Sequence, residues 1–140
     1  MKKILSEKID PSIRELLSFA TSYHKIDQEY EKYLGSLNRI LFGLELKEEI
    51  VGCIGVEIIN SKECVIKHIA VSSKQRGKGI GSKMITFLTD QYPFITAETD
   101  KDAVDFYRKY GFFITSLVEK YPGVERFLCE YRVENFNSIF

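Results

Sequence analysis

The chain has 140 residues, 44% hydrophobic and 29% charged, and its 20 Lys and Arg residues balance 20 Asp and Glu residues. That length suits a single domain, residues 1–140, large enough to bury a real core. With no net charge, the chain has no overall field to draw it to nucleic acid or to an anionic membrane, so neither is an expected partner.

Met1-Lys2-Lys3-Ile4-Leu5 runs into Ser6-Glu7-Lys8 without the apolar stretch of a signal peptide, and no apolar run reaches membrane-spanning length. Cytoplasm is the expected location. Asp10-Pro11-Ser12 is a helix entrance, followed by the apolar stripe Ile13, Leu16, Leu17 and Ala20. After the polar aromatic segment 21–25, Asp27 to Leu34 reads as a second helix with Gly35 as its stop. Tyr23, Tyr30 and Tyr33 cluster there with Glu29 and Glu31. They read equally as core rings and as the lining of a cleft.

From Asn38 the texture becomes β. Residues 39–46 and 50–59 flank a hairpin loop at Lys47-Glu48-Glu49, and a second loop at 60–63 leads into Cys64-Val65-Ile66-Lys67-His68-Ile69-Ala70-Val71. Short loops make these three strands antiparallel neighbours. Gly43, Gly52 and Gly55 stand inside the strands, where glycine marks a bulge or a close approach of another group.

Next comes Gln75-Arg76-Gly77-Lys78-Gly79-Ile80-Gly81-Ser82-Lys83, with Ile80, Met84 and Leu88 then recurring at helical spacing. Glycines on a strand-to-helix junction let the backbone come close to a ligand. A helix start behind them offers unpaired N–H groups that suit phosphate. A Walker loop would need Lys-Ser/Thr where Ser82-Lys83 stands in the opposite order, and a Rossmann turn would need its third glycine at Ser82. Tyr92-Pro93 ends the helix, and 94–99 is a strand that should lie parallel to 64–71, because a helix joins them. Thr99 or Asp100 can cap a helix from Lys101 to Tyr110, which Gly111 stops. Strands over 112–119 and 125–132, joined around Tyr121-Pro122-Gly123, complete an α/β chain with a single mixed sheet and helices on its faces. The tail from Glu134 to Phe140 reads as loose. Cys53, Cys64 and Cys129 are odd in number and scattered, so they read as small buried hydrophobes in a reducing compartment. His24 and His68 are too far apart for a local metal motif, and no metal is expected.

Arg76-x-x-Gly79-x-Gly81, set between a strand and a helix, resembles the acyl-CoA signature of the GNAT family of N-acetyltransferases. Asp100-x-x-Ala103-x-x-Phe106-Tyr107-x-x-x-Gly111-Phe112 is similar to a second segment of that family, which often has Asn at the first position. The resemblance runs from about Ile50 to Phe112. It implies a GNAT-like sheet of about seven strands and transfer of an acetyl group from acetyl-CoA, as co-substrate, to a primary amine by direct attack in a ternary complex. By resemblance, successive amides of the loop, at Gly77, Lys78, Gly79, Gly81 and Ser82, hold the diphosphate of coenzyme A beside Arg76. Ile69 and Val71 bond the pantetheine arm, and an amide near Ile69 polarises the thioester. Asp100 either accepts a bond from the cofactor or caps the helix.

Tyr107 is the candidate to protonate the departing thiolate, since phenol and thiol have ordinary pKa values near about 10 and 8.5. The alternatives are a ring packed on the sheet or a bond to the sulfur alone. For the general base, some members of the family use a Glu at the position that matches Val65 here. His68, Glu57, Glu63 and Glu98 are the neighbouring candidates, with a water chain as the alternative. His68 has the intrinsic pKa for the task. A non-catalytic acyl-CoA-binding module is the competing reading, because Val65 cannot act as a base. A small-molecule or peptide amine is the expected acceptor, and the aromatic residues are compatible with a homodimer.

Overall fold

The computed structural model describes residues 1–133, so the expectation for the tail from Glu134 to Phe140 lies outside the described residues. The first helix, α1 (Pro11–Ser18), begins as its sequence predicts. Asp10 is the N-cap, and its Oδ1 accepts the Ser12 N–H at 2.8 Å. A single 3₁₀ turn at Tyr23–Lys25 leads into α2 (Ile26–Gly35). Three strands follow, β2 (Arg39–Leu46), β3 (Glu49–Asn60) and β4 (Glu63–Val71), antiparallel to one another. After α3 (Ile80–Thr89) comes β5 (Phe94–Asp100), which pairs parallel to β4.

Next is α4 (Val104–Tyr110), three residues shorter at its start than the expected 101–110. Asp100 Oδ1 accepts the N–H groups of Asp102 and Ala103, at 3.0 and 3.1 Å, and so holds 101–103 as a turn. The last two strands are β6 (Phe113–Tyr121) and β7 (Val124–Arg132). A two-residue strand, β1 (Lys2–Lys3), pairs with β2 at Phe42 and Gly43. It is too short to show a period, and the sequence offered no sign of it.

The sheet has seven strands in the order β1-β2-β3-β4-β5-β7-β6. Helices cover both faces and make two cores. Ile80, Met84, Ile85 and Leu88 of α3 and Val104 and Tyr107 of α4 pack on one face. Ile13, Leu16 and Leu17 of α1 and Ile26, Tyr30 and Tyr33 of α2 pack on the other. The aromatic cluster near α2 therefore divides: Tyr30 and Tyr33 are core, whereas Tyr23 is exposed. Cys53, Cys64 and Cys129 are free, fully buried thiols, as small hydrophobes would be.

Candidate active site

The site begins with one residue too many in a strand. Gly55 pairs with His68 and Val56 with Ile66, so Lys67 stands opposite no residue of β3 and forms a β-bulge. Because side chains alternate, the extra residue turns everything after it to the other face. Ile66 belongs to the core under α3 and α4, while Ala70 belongs to the core under α1 and α2. His68 turns the same way as Ala70, toward Tyr33 of α2.

The parallel pairing of β4 with β5 stops at the same level. It runs from Glu63–Phe94 to Ile66–Ala97 and goes no further, although both strands continue. Ser72 N–H donates to the Val51 carbonyl across β3 at 2.8 Å. Alternation along β4 then leaves the main-chain groups of Ile69 and Val71 on the edge away from β3. Between the parted strands lies a cavity of about 700 Å³. His68, Ile69 and Val71 line one wall, and Glu98, Thr99 and Asp100 the other.

One end of the cavity meets the glycine loop. Gly77 and Gly79 have φ of 80° and 79°, in the left-handed region that side chains disfavour. Gly79 is the N-cap of α3 and has no side chain to satisfy the helix. The first helical bond there is Lys83 N–H to the Gly79 carbonyl, at 3.0 Å. The amides of Ile80, Gly81 and Ser82 therefore have no partner within the helix, at the positive end of its dipole. Arg76, Gly77, Gly79, Gly81 and Ser82 all line the cavity. Gly81 is glycine for a different reason: a Cβ there would stand 2.8 Å from Phe106 Cε1, so its absence lets α4 pack against the start of α3.

The Lys78 side chain is exposed and outside the cavity lining, so its expected part falls to the main-chain amide. The residue sits between two glycines in left-handed geometry, and its side chain is left in solvent. Lys83, Arg108 and Lys109 are likewise exposed and outside the lining. Arg76 is already engaged. Its Nε donates to the Val71 carbonyl at 3.2 Å, and its guanidinium lies 4.6 Å from the centre of the Phe19 ring. One of the two strand residues expected to bond the pantetheine arm thus shares its carbonyl with an arginine of the loop.

Tyr107 is both core and cavity wall. It meets Phe106 and Phe112 edge-on, with ring centres 5.3 and 5.1 Å away, and it lines the cavity. Burial holds its phenol well above the ordinary value. His68 is 7% exposed. Its Nδ1 lies 2.5 Å from Tyr33 Oη, which leaves Nε2 as the ring nitrogen available to the cavity. Desolvation pushes its pKa down. Glu29 opposes that shift, and Arg39, Lys67 and Lys32 add to it.

The carboxylate candidates separate by position. Glu57 is held by Arg39 Nε at 3.3 Å, and Glu63 lies at the far end of β4 from the bulge. Only Glu98 lines the cavity, where Arg126 Nε stands 3.5 Å from its Oε1. Asp100 also lines the cavity while holding the turn before α4.

Tyr33, which the sequence left open between core and cleft, belongs to the site with Phe19 and Arg126, which it did not single out. Gly55 was the available signal for the first of these. A Cβ on it would fall 1.9 Å from Tyr33 Oη, so this strand glycine is the opening through which the tyrosine reaches His68. Among the described residues, no group of three or more His, Cys, Asp or Glu side chains is gathered to hold a metal, and no helix is long and apolar enough to cross a membrane.

This architecture has close counterparts. A GNAT family acetyltransferase from Elizabethkingia anophelis, solved with acetyl-CoA bound, superposes with a TM-score of 0.70 at 23% identity, covering 94% of this chain and 95% of that one. An aminoglycoside 6′-N-acetyltransferase complexed with coenzyme A gives a TM-score of 0.75 at 16% identity, covering 94% and 97%. At such identities the likeness speaks for the fold. In sequence, an uncharacterized N-acetyltransferase in the lysA 3′ region of Bacillus methanolicus is 34% identical over 87 residues, which is 62% of this chain and 72% of that protein. The profile of the Acetyltransferase (GNAT) family matches residues 11–112. The chain is therefore an acyltransferase of the GNAT family.

Proposed function

We propose that the protein transfers the acetyl group of acetyl-CoA to a primary amine, by direct attack within a ternary complex. The observation that carries this reading is the end of β4–β5 pairing at Ile66–Ala97, with the opening leading to the unpartnered amides at the start of α3. An amide-rich arm can bond an exposed strand edge as an added strand would, and a diphosphate suits a helix start. The amides of Gly77, Lys78, Gly79, Gly81 and Ser82 take the diphosphate, with the Arg76 guanidinium beside them. The main chain of Ile69 and Val71 takes the arm, and Asp100 borders it from β5. Arg76 exchanges its bond to the Val71 carbonyl for one to phosphate, which frees that carbonyl for the arm.

In the transfer, the amine nitrogen forms a bond to the carbonyl carbon and the carbon–sulfur bond breaks. The amine loses one proton to solvent, and the departing thiolate receives one from Tyr107, which solvent then restores. Burial makes Tyr107 a weaker acid than a free phenol, but the same surroundings disfavour a bare thiolate. Desolvation acts on both groups in the same direction, which keeps the proton transfer within reach.

The test is calorimetric titration with coenzyme A, followed by thiol release from acetyl-CoA across a panel of primary amines. Binding, together with an intersecting initial-rate pattern on at least one amine, is expected. Binding without turnover on any amine, or a parallel rate pattern, would refute the reading.

A further inference from the structure

The buried pair Tyr33 and His68 determines which ring nitrogen of the histidine carries hydrogen. Tyr33 is 5% exposed, and burial raises its phenol far above the ordinary value, so the hydroxyl keeps its proton. That O–H needs an acceptor, since a buried hydroxyl without one is rarely tolerated. Among the described residues, the acceptor within hydrogen-bond distance is His68 Nδ1, at 2.5 Å. With hydrogen on Nδ1 the tyrosine oxygen would become the acceptor, and its own O–H would be left with no acceptor among the described residues. Nδ1 is therefore the acceptor, and the neutral ring carries its hydrogen on Nε2, the nitrogen left for the cavity.

The surroundings keep the ring neutral. Glu29 and Lys32 face it from α2, Arg39 from β2 and Lys67 from its own strand. Glu29 favours the imidazolium, whereas the three cations and, above all, burial oppose it.

We propose that His68 acts as a hydrogen-bond donor through Nε2–H, directed at the acetyl carbonyl oxygen as it gains negative charge, and that Tyr33 is the positioning residue that fixes this tautomer. The assignment rests on the acetyl-transfer reading for its purpose. It replaces the general-base role read from the sequence, because a base needs a lone pair on the cavity side, and here the lone pair lies on Nδ1 beneath the phenol. No proton leaves His68 during the reaction. Its bond to the oxygen strengthens as the carbonyl becomes an oxyanion and relaxes as the amide forms, as preorganised donors do in other enzymes. Carbonyl oxygen is the partner the chemistry offers: the attacking nitrogen must keep its lone pair for carbon, and the sulfur is served by Tyr107.

The chain has two histidines, so His24→Gln leaves one imidazole to observe. Long-range ¹⁵N–¹H correlation spectra of that protein at neutral pH should show hydrogen on Nε2 and a bare Nδ1. The opposite tautomer would overturn the proposal. In turnover assays, His68→Gln places an amide N–H near the position of Nε2 but supplies no base. It should stay within about tenfold of the parent kcat, while His68→Ala should lose about 10²–10³-fold. An equal, deep loss in both variants, together with disappearance of an acidic limb from the pH profile of kcat/KM, would mark His68 as a base and refute the donor role. Tyr33→Phe should give a mixture of tautomers with unchanged coenzyme A affinity; a spectrum that still shows a single tautomer would remove Tyr33 from the device. Coenzyme A titration of the parent separates the two levels. No binding would sink the acetyl-transfer reading and the donor's target with it, whereas binding with the wrong tautomer sinks the donor alone.

Discussion

Replacing Gly55 with alanine tests the physical basis of the Tyr33–His68 pair without touching either ring. The new Cβ would lie 1.9 Å from Tyr33 Oη, 2.3 Å from Cζ and 2.8 Å from Cε1. No rotation of the hydroxyl relieves that overlap, so the ring itself must leave. Overpacking of a core typically costs about 1–3 kcal/mol, and leaving the buried Nδ1 without its donor adds about 1–3 kcal/mol. Alanine returns about 0.5–1 kcal/mol by relieving the entropy of a strand glycine. The net expectation is a destabilisation of about 1–5 kcal/mol. In a Tyr33→Leu background the colliding ring atoms are gone, and the same Gly55→Ala change should be neutral or stabilising by up to about 1 kcal/mol. Tyr33→Phe should give no such relief, because Cζ keeps its place. Urea unfolding followed by circular dichroism gives the four stabilities of the cycle, with constant m-values as the check on two-state behaviour. If Gly55→Ala costs the same in the tyrosine and leucine backgrounds, within about 0.5 kcal/mol, the steric account of this glycine is wrong.

Other outcomes follow from the same geometry. Tyr107→Phe keeps the ring contacts with Phe106 and Phe112, so coenzyme A affinity and stability should hold while kcat falls about 10²-fold or more; steady-state kinetics beside calorimetry will show whether the two separate. Because the folded pKa of His68 lies below its ordinary 6.5, the unfolded chain binds the extra proton first as pH falls. Stability should thus rise with pH through the window below 6.5 and flatten above it, and His68→Gln should weaken that slope in unfolding midpoints measured across the range. Gly79→Ala strains a left-handed residue by about 1–2 kcal/mol, which should weaken coenzyme A binding about 5–30-fold, with asparagine, more tolerant of that conformation, restoring part of it. At Gly81 the obstacle is Phe106, and asparagine should do no better than alanine there; equal rescue at both sites in calorimetric titrations would contradict the distinction.

Much of the sheet could be read from the sequence because its signals are local. The hairpin loop at 47–49 lies between two β-rich runs, and the helix between 64–71 and 94–99 forces those strands parallel. The loop glycines were readable for the same reason, since Arg76, Gly79 and Gly81 sit on a strand-to-helix junction within a single short stretch. What could not be read depends on register. Nothing local distinguishes Lys67 from its neighbours as the bulged residue, yet that one position decides which core His68 faces. Without the bulge, plain alternation would group His68 with Ile66, under α3 and α4. Tyr33 lies 35 positions from His68, and its aromatic ring fits a core and a cleft equally well.

The position of β7 has a consequence for how the molecule is made. β5 is flanked on its outer side by β7, paired along all of Phe94–Asp100, and β6 lies beyond it. A ribosome delivers β6 first, so for a time the growing chain offers β5 as a bare ladder of amides and carbonyls, with its proper neighbour still unsynthesised. Until residues 124–132 arrive, that ladder is open to any passing extended segment, and the far wall of the cavity lacks its outer strand. Maturation of the pocket should therefore be a late event in biosynthesis, and occupancy by a nucleotide thioester should select only chains that have completed this pairing.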